Sequence, residues 1–328
     1  MLGLEELTIS NAARYIEGRG VPLAAPRIAE LGGGVSNTVL LVESQSTRLV
    51  IKQALAKLRV EQEWLADRAR IFRESAALRM LAAYLPEGSL PAVMFEDRDN
   101  FTFAMSAAPA RSLCWKELLL NGQIRVATAQ RVGELLASIA TVSWRDPAWE
   151  REFGDQTVFD QLRIDPYYRA AARKHPDLAP AAARLIEHSA SRRVSLTHGD
   201  WSPKNFLVDG DRVMAIDFEV IHFGDPSFDA AFLLNHLLLK SFHRPEWAPS
   251  YAAAAEAFWN AYVAGVPRET WIEPATIAHL GWLLLARVDG KSPAEYLREP
   301  AVQDRVRQFA RNVIVSPPSQ VLEVFEQL

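Results

Sequence analysis

The sequence holds one cysteine, Cys114, among 328 residues. That excludes an internal disulfide and any zinc site built on cysteines, and with them a disulfide-stapled secreted scaffold. Long apolar runs are missing as well. The most apolar stretch, residues 231–239, is broken by Asn235 and His236, and residues 281–286 fall far short of the ~20 that cross a bilayer. Both read as buried helices, and no membrane partner is expected. Charge of one sign is also lacking: 36 Lys and Arg face 40 Asp and Glu, a formal net charge of −4. Without a clustered basic face to displace counterions, no nucleic-acid partner is expected. The first ten residues carry two glutamates where an export signal needs a basic region, and no apolar core follows them. A cytoplasmic location is the expectation. No internal repeat or low-complexity tract occurs.

What is present is an ordinary globular composition, 49% apolar and 23% charged, in a chain long enough for two domains or one two-lobed unit. Strand-like runs at 26–31, 38–43 and 48–53, punctuated by Gly32, Gly33 and Gly34, predict a small antiparallel sheet. Between residues 60 and 85 the apolar period becomes helical, and Pro86 stops it. Two further strands are expected at 92–96 and 101–105, followed by a small-residue hinge from Met105 to Pro109. Beyond it the pattern predicts helices at 113–120, 128–142, 179–189, 228–239, 251–263 and 277–288. Short strands at 195–197, 206–208 and 212–216 bracket polar loops. The expected fold is α+β, with a sheet-rich lobe of residues 1–106 and a mainly helical lobe of residues 107–328.

The chemistry concentrates in His198-Gly199-Asp200-Trp201-Ser202-Pro203-Lys204-Asn205, followed by Ile216-Asp217-Phe218-Glu219. An Asp and an Asn five residues apart in one loop, then an Asp after a strand, bring several oxygens to one point. Phosphoryl transfer calls for that arrangement, because positioning and charge neutralisation supply nearly all of its catalysis. One carboxylate handles the nucleophile's hydroxyl while an Asn and a second carboxylate hold Mg²⁺, a hard ion that takes oxygen ligands. Asp209-Gly210-Asp211, by contrast, is an ordinary polar turn.

The segment 196–219 resembles the catalytic and metal-binding loops of the aminoglycoside phosphotransferase and choline kinase superfamily, which has the protein-kinase-like fold. The resemblance implies that Asp200 is the catalytic aspartate and that Asn205 and Asp217 are metal ligands. Lys52, in Leu49-Val50-Ile51-Lys52, resembles the strand lysine that holds the α and β phosphates of ATP, and Glu74 its helix partner. Glu61 and Glu63 are rivals for that role. Gly33, Gly34, Ser36 and Asn37 would line the phosphates, and backbone groups at Ser106 and Ala108 would meet the adenine. Gly199 stands where protein kinases have Arg and Glu219 where they have Gly, which favours a small-molecule kinase. The small lobe is similar to that of methylthioribose kinases, whereas Ile216-Asp217-Phe218-Glu219 resembles choline and ethanolamine kinases.

The expected function is thus ATP- and Mg²⁺-dependent phosphorylation of a small-molecule hydroxyl: an amino alcohol, an aminoglycoside or a sugar. GTP is the alternative nucleotide, and a non-catalytic nucleotide-binding module, a pseudokinase, the alternative function. Glu219 is assigned to a second metal ion or to an ammonium group of the acceptor. Seven acids and two bases between Asp200 and Asp229 favour a cationic acceptor. His198 and Asp229 are expected to order the catalytic loop, and Asp225 or Ser227 to cap the helix that follows.

Overall fold

The computed structural model describes residues 6–32, 37–55 and 68–328. These divide into two compact units, Met1–Arg111 and Ser112–Leu328, whereas the sequence pattern puts the division after residue 106. Gly33, Gly34, Ser36, Glu61 and Glu63 lie outside the described residues.

In the first unit, strands β1 (Arg27–Glu30), β2 (Asn37–Glu43), β3 (Arg48–Ala54), β4 (Val93–Asp97) and β5 (Thr102–Ser106) form one sheet in the order β1-β2-β3-β5-β4. Every neighbouring pair is antiparallel. Central β3 has six consecutive buried residues, the mark of a strand covered on both faces. Helix α1 (Ala12–Glu17) supplies Ala12, Tyr15 and Ile16 to a core shared with Leu40, Val42, Leu49 and Ile51. The sequence pattern had left this short helix unassigned. Helix α2 (Ile71–Leu81) follows a 3₁₀ turn at Arg68–Arg70 and is shorter at its C-terminal end than the predicted span, because the chain leaves the helix in turns before Pro86.

The second unit carries β6 (Leu113–Cys114), β7 (Ser195–Thr197), β8 (Phe206–Asp209), β9 (Arg212–Ala215) and β10 (His222–Gly224), paired as β6-β8-β9 and β7-β10. Its helices are α3 (Trp115–Leu120), α4 (Val126–Val142), α5 (Pro147–Phe153), α6 (Thr157–Phe159), α7 (Ala170–Lys174), α8 (Ala179–Ser191), α9 (Ser227–His243), α10 (Ala248–Gly265), α11 (Ile272–Asp289), α12 (Pro300–Val315) and α13 (Glu323–Glu326). Nearly every residue of α9 is buried, so it is the central helix, with α11 as its equally buried neighbour. Helices α4 and α10 meet so closely that a Cβ on Gly133 would lie 2.3 Å from the Phe258 carbonyl oxygen, which only glycine permits. Among the described residues no helix is long and apolar enough to cross a membrane.

Candidate active site

Lys52 sits mid-strand in β3, opposite Val39 of β2 and Phe103 of β5. Its ammonium donates to both carboxylate oxygens of Glu74, at 2.8 and 2.9 Å, in the first turn of α2. Both residues are buried, Lys52 6% and Glu74 1% exposed. A lysine and a glutamate are tolerated there because each neutralises the other; alone, either would carry a large desolvation cost. Asn37 begins β2 opposite Ala54 and is buried. Ser106 ends β5, where its N–H donates to Ala92 O at 2.8 Å and its hydroxyl accepts from Ala92 N at 2.9 Å. Ala108 follows two residues later and is also buried.

In the second unit the loop after β7 is fixed from three sides. Asp229, in the first turn of α9, accepts the backbone N–H groups of His198 and Gly199 at 2.5 and 2.9 Å. Burial pushes its carboxyl up to about 7 against the pull of those two donors. His198 Nδ1 accepts from Asp200 N at 3.2 Å, which makes Nε2 the protonated nitrogen, and Nε2 donates to Ile216 O at 3.2 Å. The ring therefore ties the catalytic loop to the residue before Asp217, and burial brings its pKa down to about 4, so it stays neutral. Trp201 is fully buried, edge-on to Phe206 at 4.7 Å and to His198 at 5.2 Å. Asp225 Oδ1 accepts Ser227 N at 3.0 Å and caps α9.

Gly199 adopts φ +77°, and a Cβ there would meet Val220 Cγ1 and O at 2.8 Å. The turn that aims Asp200 thus requires glycine. Gly199→Ala is expected to cost about 2 kcal/mol through the left-handed backbone and the clash, seen as a melting-point drop of roughly 4–8 °C. A melting point and turnover both equal to the wild type's would refute this reading of the turn.

Asp200 is 6% exposed, with Lys204 Nζ at 2.9 Å and Arg163 Nη2 at 3.2 Å from one carboxylate oxygen. Burial alone would raise its pKa, but the two cations hold it far below the usual carboxylate range. The same carboxylate pushes the Lys204 ammonium up. Asn205 Nδ2 donates to Asp200 O at 2.9 Å, leaving the amide oxygen as its acceptor end. Ile216 N donates to Asn205 O at 3.0 Å, which sets Asp217 beside Asn205. Asp217 itself has φ 68°, an unusual backbone for a residue with a side chain and one that recurs at functional sites. Glu219 is half-buried, and its charge, with those of Asp200 and Asp217, favours the charged form of Arg163.

Arg163 was not foreseen from sequence. It lies in a wide, π-type helical segment, Asp160–Arg169, that contains Pro166. The Leu162 carbonyl accepts Arg163 Nη1 at 2.7 Å. The anchored guanidinium then donates through Nε to Gly199 O at 2.5 Å and pairs with Asp200.

A cavity of about 260 Å³ opens beside Asp200, lined by residues of α3, the π-type segment, α9, α11 and the loop after α11. Among the described residues no three His, Cys, Asp or Glu side chains gather as a metal cluster. The donor set of an amide oxygen and one or two carboxylates is nevertheless what a Mg²⁺ ion shared with a polyphosphate takes from protein.

A small antiparallel sheet with a buried Lys–Glu pair, and a helical unit presenting Asp, Asn and Asp on two joined loops, define a kinase-like fold. The chain belongs to the phosphotransferase enzyme family, whose model matches residues 27–268. It is 27% identical over 280 residues to the methylthioribose kinase of Escherichia coli O45:K1 (strain S88 / ExPEC), covering 75% of this chain and 67% of that enzyme. Against methylthioribose kinase 2 of Oryza sativa subsp. japonica it is 26% identical over 251 residues, or 68% of this chain but only 58% of the rice enzyme's length. The likeness to these kinases therefore runs well beyond the small lobe. Among solved structures, an ADP-bound aminoglycoside phosphotransferase, APH(2'')-Ib, superposes with a TM-score of 0.53 at 14% identity, over 96% of this chain and 98% of the other. By class the protein is a small-molecule kinase.

Proposed function

We propose that the protein transfers the γ-phosphoryl group of ATP, with Mg²⁺, to a hydroxyl of a small molecule. The observation that carries this reading is the tie between the two loops: Asn205 O accepts Ile216 N, and His198 bridges the Asp200 backbone to Ile216 O. These bonds join the two loops that carry Asp200, Asn205 and Asp217. Asp200 accepts the acceptor's hydroxyl hydrogen and aims its oxygen. Lys204, charged beside Asp200, faces the transferred phosphoryl oxygens. Asn205 Oδ1 and the Asp217 carboxylate hold the metal, and Glu219 holds a second ion or a group on the acceptor. When bound, Mg²⁺ neutralises the charge that builds on the phosphate oxygens.

Unit Met1–Arg111 is the nucleotide lobe in this reading and unit Ser112–Leu328 the catalytic and acceptor lobe. Lys52, fixed by Glu74, neutralises the α and β phosphates, with Asn37, Gly33, Gly34 and Ser36 adding donors. Ala108 and Ser106 meet the adenine through backbone groups; the Ser106 N–H is already committed to Ala92, so its carbonyl serves. Lys52, Glu74, Asp200, Asn205 and Asp217 are all present, so nothing favours a pseudokinase. A cytoplasmic location fits an ATP-dependent enzyme with one cysteine.

The experiment is nucleotide turnover against small alcohols with and without metal. ADP formation is expected to require an acceptor and Mg²⁺, and to stop on adding EDTA. Turnover indifferent to chelation would refute the metal assignment.

A further inference from the structure

The charge count along the sequence and the charges around the cavity have opposite signs. Most of the acids between Asp200 and Asp229 point elsewhere: Asp225 caps α9, Asp229 braces the loop and Asp209 and Asp211 flank the β8–β9 turn. The cavity itself is lined by Lys116, Arg163, Lys204 and Arg287, against only Asp200 and Glu295. Asp200 is shared by Arg163 and Lys204. Glu295, its side chain 57% exposed, is shared by Lys116, which it contacts directly, and Arg287, 4.0 Å away.

Arg287, on α11, is 8% exposed and its close partners are neutral: Nη1 donates to Ser292 O at 2.5 Å and to Ser292 Oγ at 2.9 Å. Its buried Nε has no hydrogen-bond partner among the described residues. The same holds for the Ser202 hydroxyl and the Tyr296 hydroxyl, both of residues that line this cavity. Buried donors are rarely left unmade, because each orphan carries a desolvation cost. Behind the wall, Lys240 is fully buried, with Nζ donating to His236 O at 3.3 Å and lying 5.3 Å from the Tyr296 ring centre. No carboxylate is paired with it among the described residues. Burial, with Lys116 and Arg287 nearby, brings its pKa down to about 7. With Asp200 shared by Arg163 and Lys204 and Glu295 in contact with Lys116, Arg287 is the cation of the cavity wall whose close partners are all neutral.

Resting on the kinase reading above, we infer that the acceptor is a compact alcohol bearing an anionic group, a carboxylate or a phosphate, seated against Arg287, Ser202 and Tyr296 with its hydroxyl toward Asp200. The Arg287 guanidinium supplies donors to that group, and the charge of Lys116, with Lys240 behind the wall, adds to its attraction. A volume of about 260 Å³ suits a metabolite of one ring or a short chain. The anion stays unchanged through the reaction: the acceptor oxygen bonds to the γ-phosphorus, the bond to the ADP oxygen breaks, and the hydroxyl proton leaves through Asp200.

The test pairs anionic acceptors with uncharged counterparts: D-gluconate with D-sorbitol, D-glycerate and glycerol 3-phosphate with glycerol, and ethanolamine and choline as cations. Phosphorylation is measured for wild type, Arg287→Gln and Lys240→Met, with melting points for all three. The expected result is at least a tenfold advantage in kcat/KM for one anionic acceptor over its neutral counterpart. In Arg287→Gln that advantage should shrink to under about twofold through a raised acceptor KM, with the KM for ATP held within about twofold, since a charge-assisted hydrogen bond carries a tenfold effect or more. Should Arg287→Gln fail to fold, Lys240→Met reads the same comparison. Equal or better turnover of neutral or cationic acceptors, insensitive to both variants, would overturn the inference while the kinase reading stood. If no acceptor is phosphorylated, calorimetric titration of gluconate and glycerol 3-phosphate decides: saturable binding weakened in Lys240→Met retains the anion site and removes the kinase reading, and no binding removes both.

Discussion

Asp217→Ala is expected to lower kcat by about a thousandfold or more at saturating MgATP, because it removes the carboxylate that places the metal on the transferred phosphate. The melting point is expected to change little. Asp217 is half-buried and lies in a left-handed backbone that a smaller side chain does not improve, so neither a core contact nor relieved strain dominates its removal. Mg²⁺ titration of nucleotide turnover is the check, since the variant should need far more metal for whatever activity remains. Turnover close to wild type at ordinary Mg²⁺ would show that the metal is held elsewhere.

Asp200→Asn is expected to cost about 10²–10⁴ in kcat and little in ATP affinity, the range for losing a positioned acid–base group. The carboxylate accepts from two cations, Lys204 and Arg163, and an amide in its place presents one oxygen and one NH₂. The NH₂ would oppose Lys204 or Arg163, so part of the loss is misplaced positive charge. The KM for ATP separates this role from a binding one: unchanged KM with collapsed kcat fits a group acting on the acceptor hydroxyl. A variant that loses nucleotide binding yet turns over normally at saturation would contradict it.

The catalytic loop was legible because its chemistry is local. Asp200 and Asn205 are five residues apart, and Asp217 follows one hairpin later, so a single window contains the constellation. Strand β7 falls on the predicted residues, the short strand-like Ser195-Leu196-Thr197 directly before the His198-Gly199-Asp200 loop. Lys52 was visible, and its partner Glu74, one of three candidates by sequence, emerges from the bidentate contact. Arg163 was not legible, because the Gly199 carbonyl and the Asp200 carboxylate that it meets lie 36 or more residues further on. Helix α12 carried an unused signal: Pro300 at its first position, then Val306, Ala310 and Val313 at helical spacing. The charge around the acceptor cavity could not be counted along the chain, since Lys116, Arg163, Lys204 and Arg287 come from four separate segments. Charges adjacent in sequence, Asp209 and Asp211 among them, belong instead to turns and caps.

The central claim is that the constellation of Asp200, Asn205 and Asp217 moves a phosphoryl group onto an alcohol oxygen. Phosphorus NMR of wild-type protein with MgATP and each acceptor of the anionic, neutral and cationic series tests it directly. The account predicts a phosphate monoester resonance that grows at the rate ADP forms with one acceptor, and that is absent in Asp217→Ala. ATP that remains intact beside every acceptor, or ADP that appears with orthophosphate alone, would contradict it.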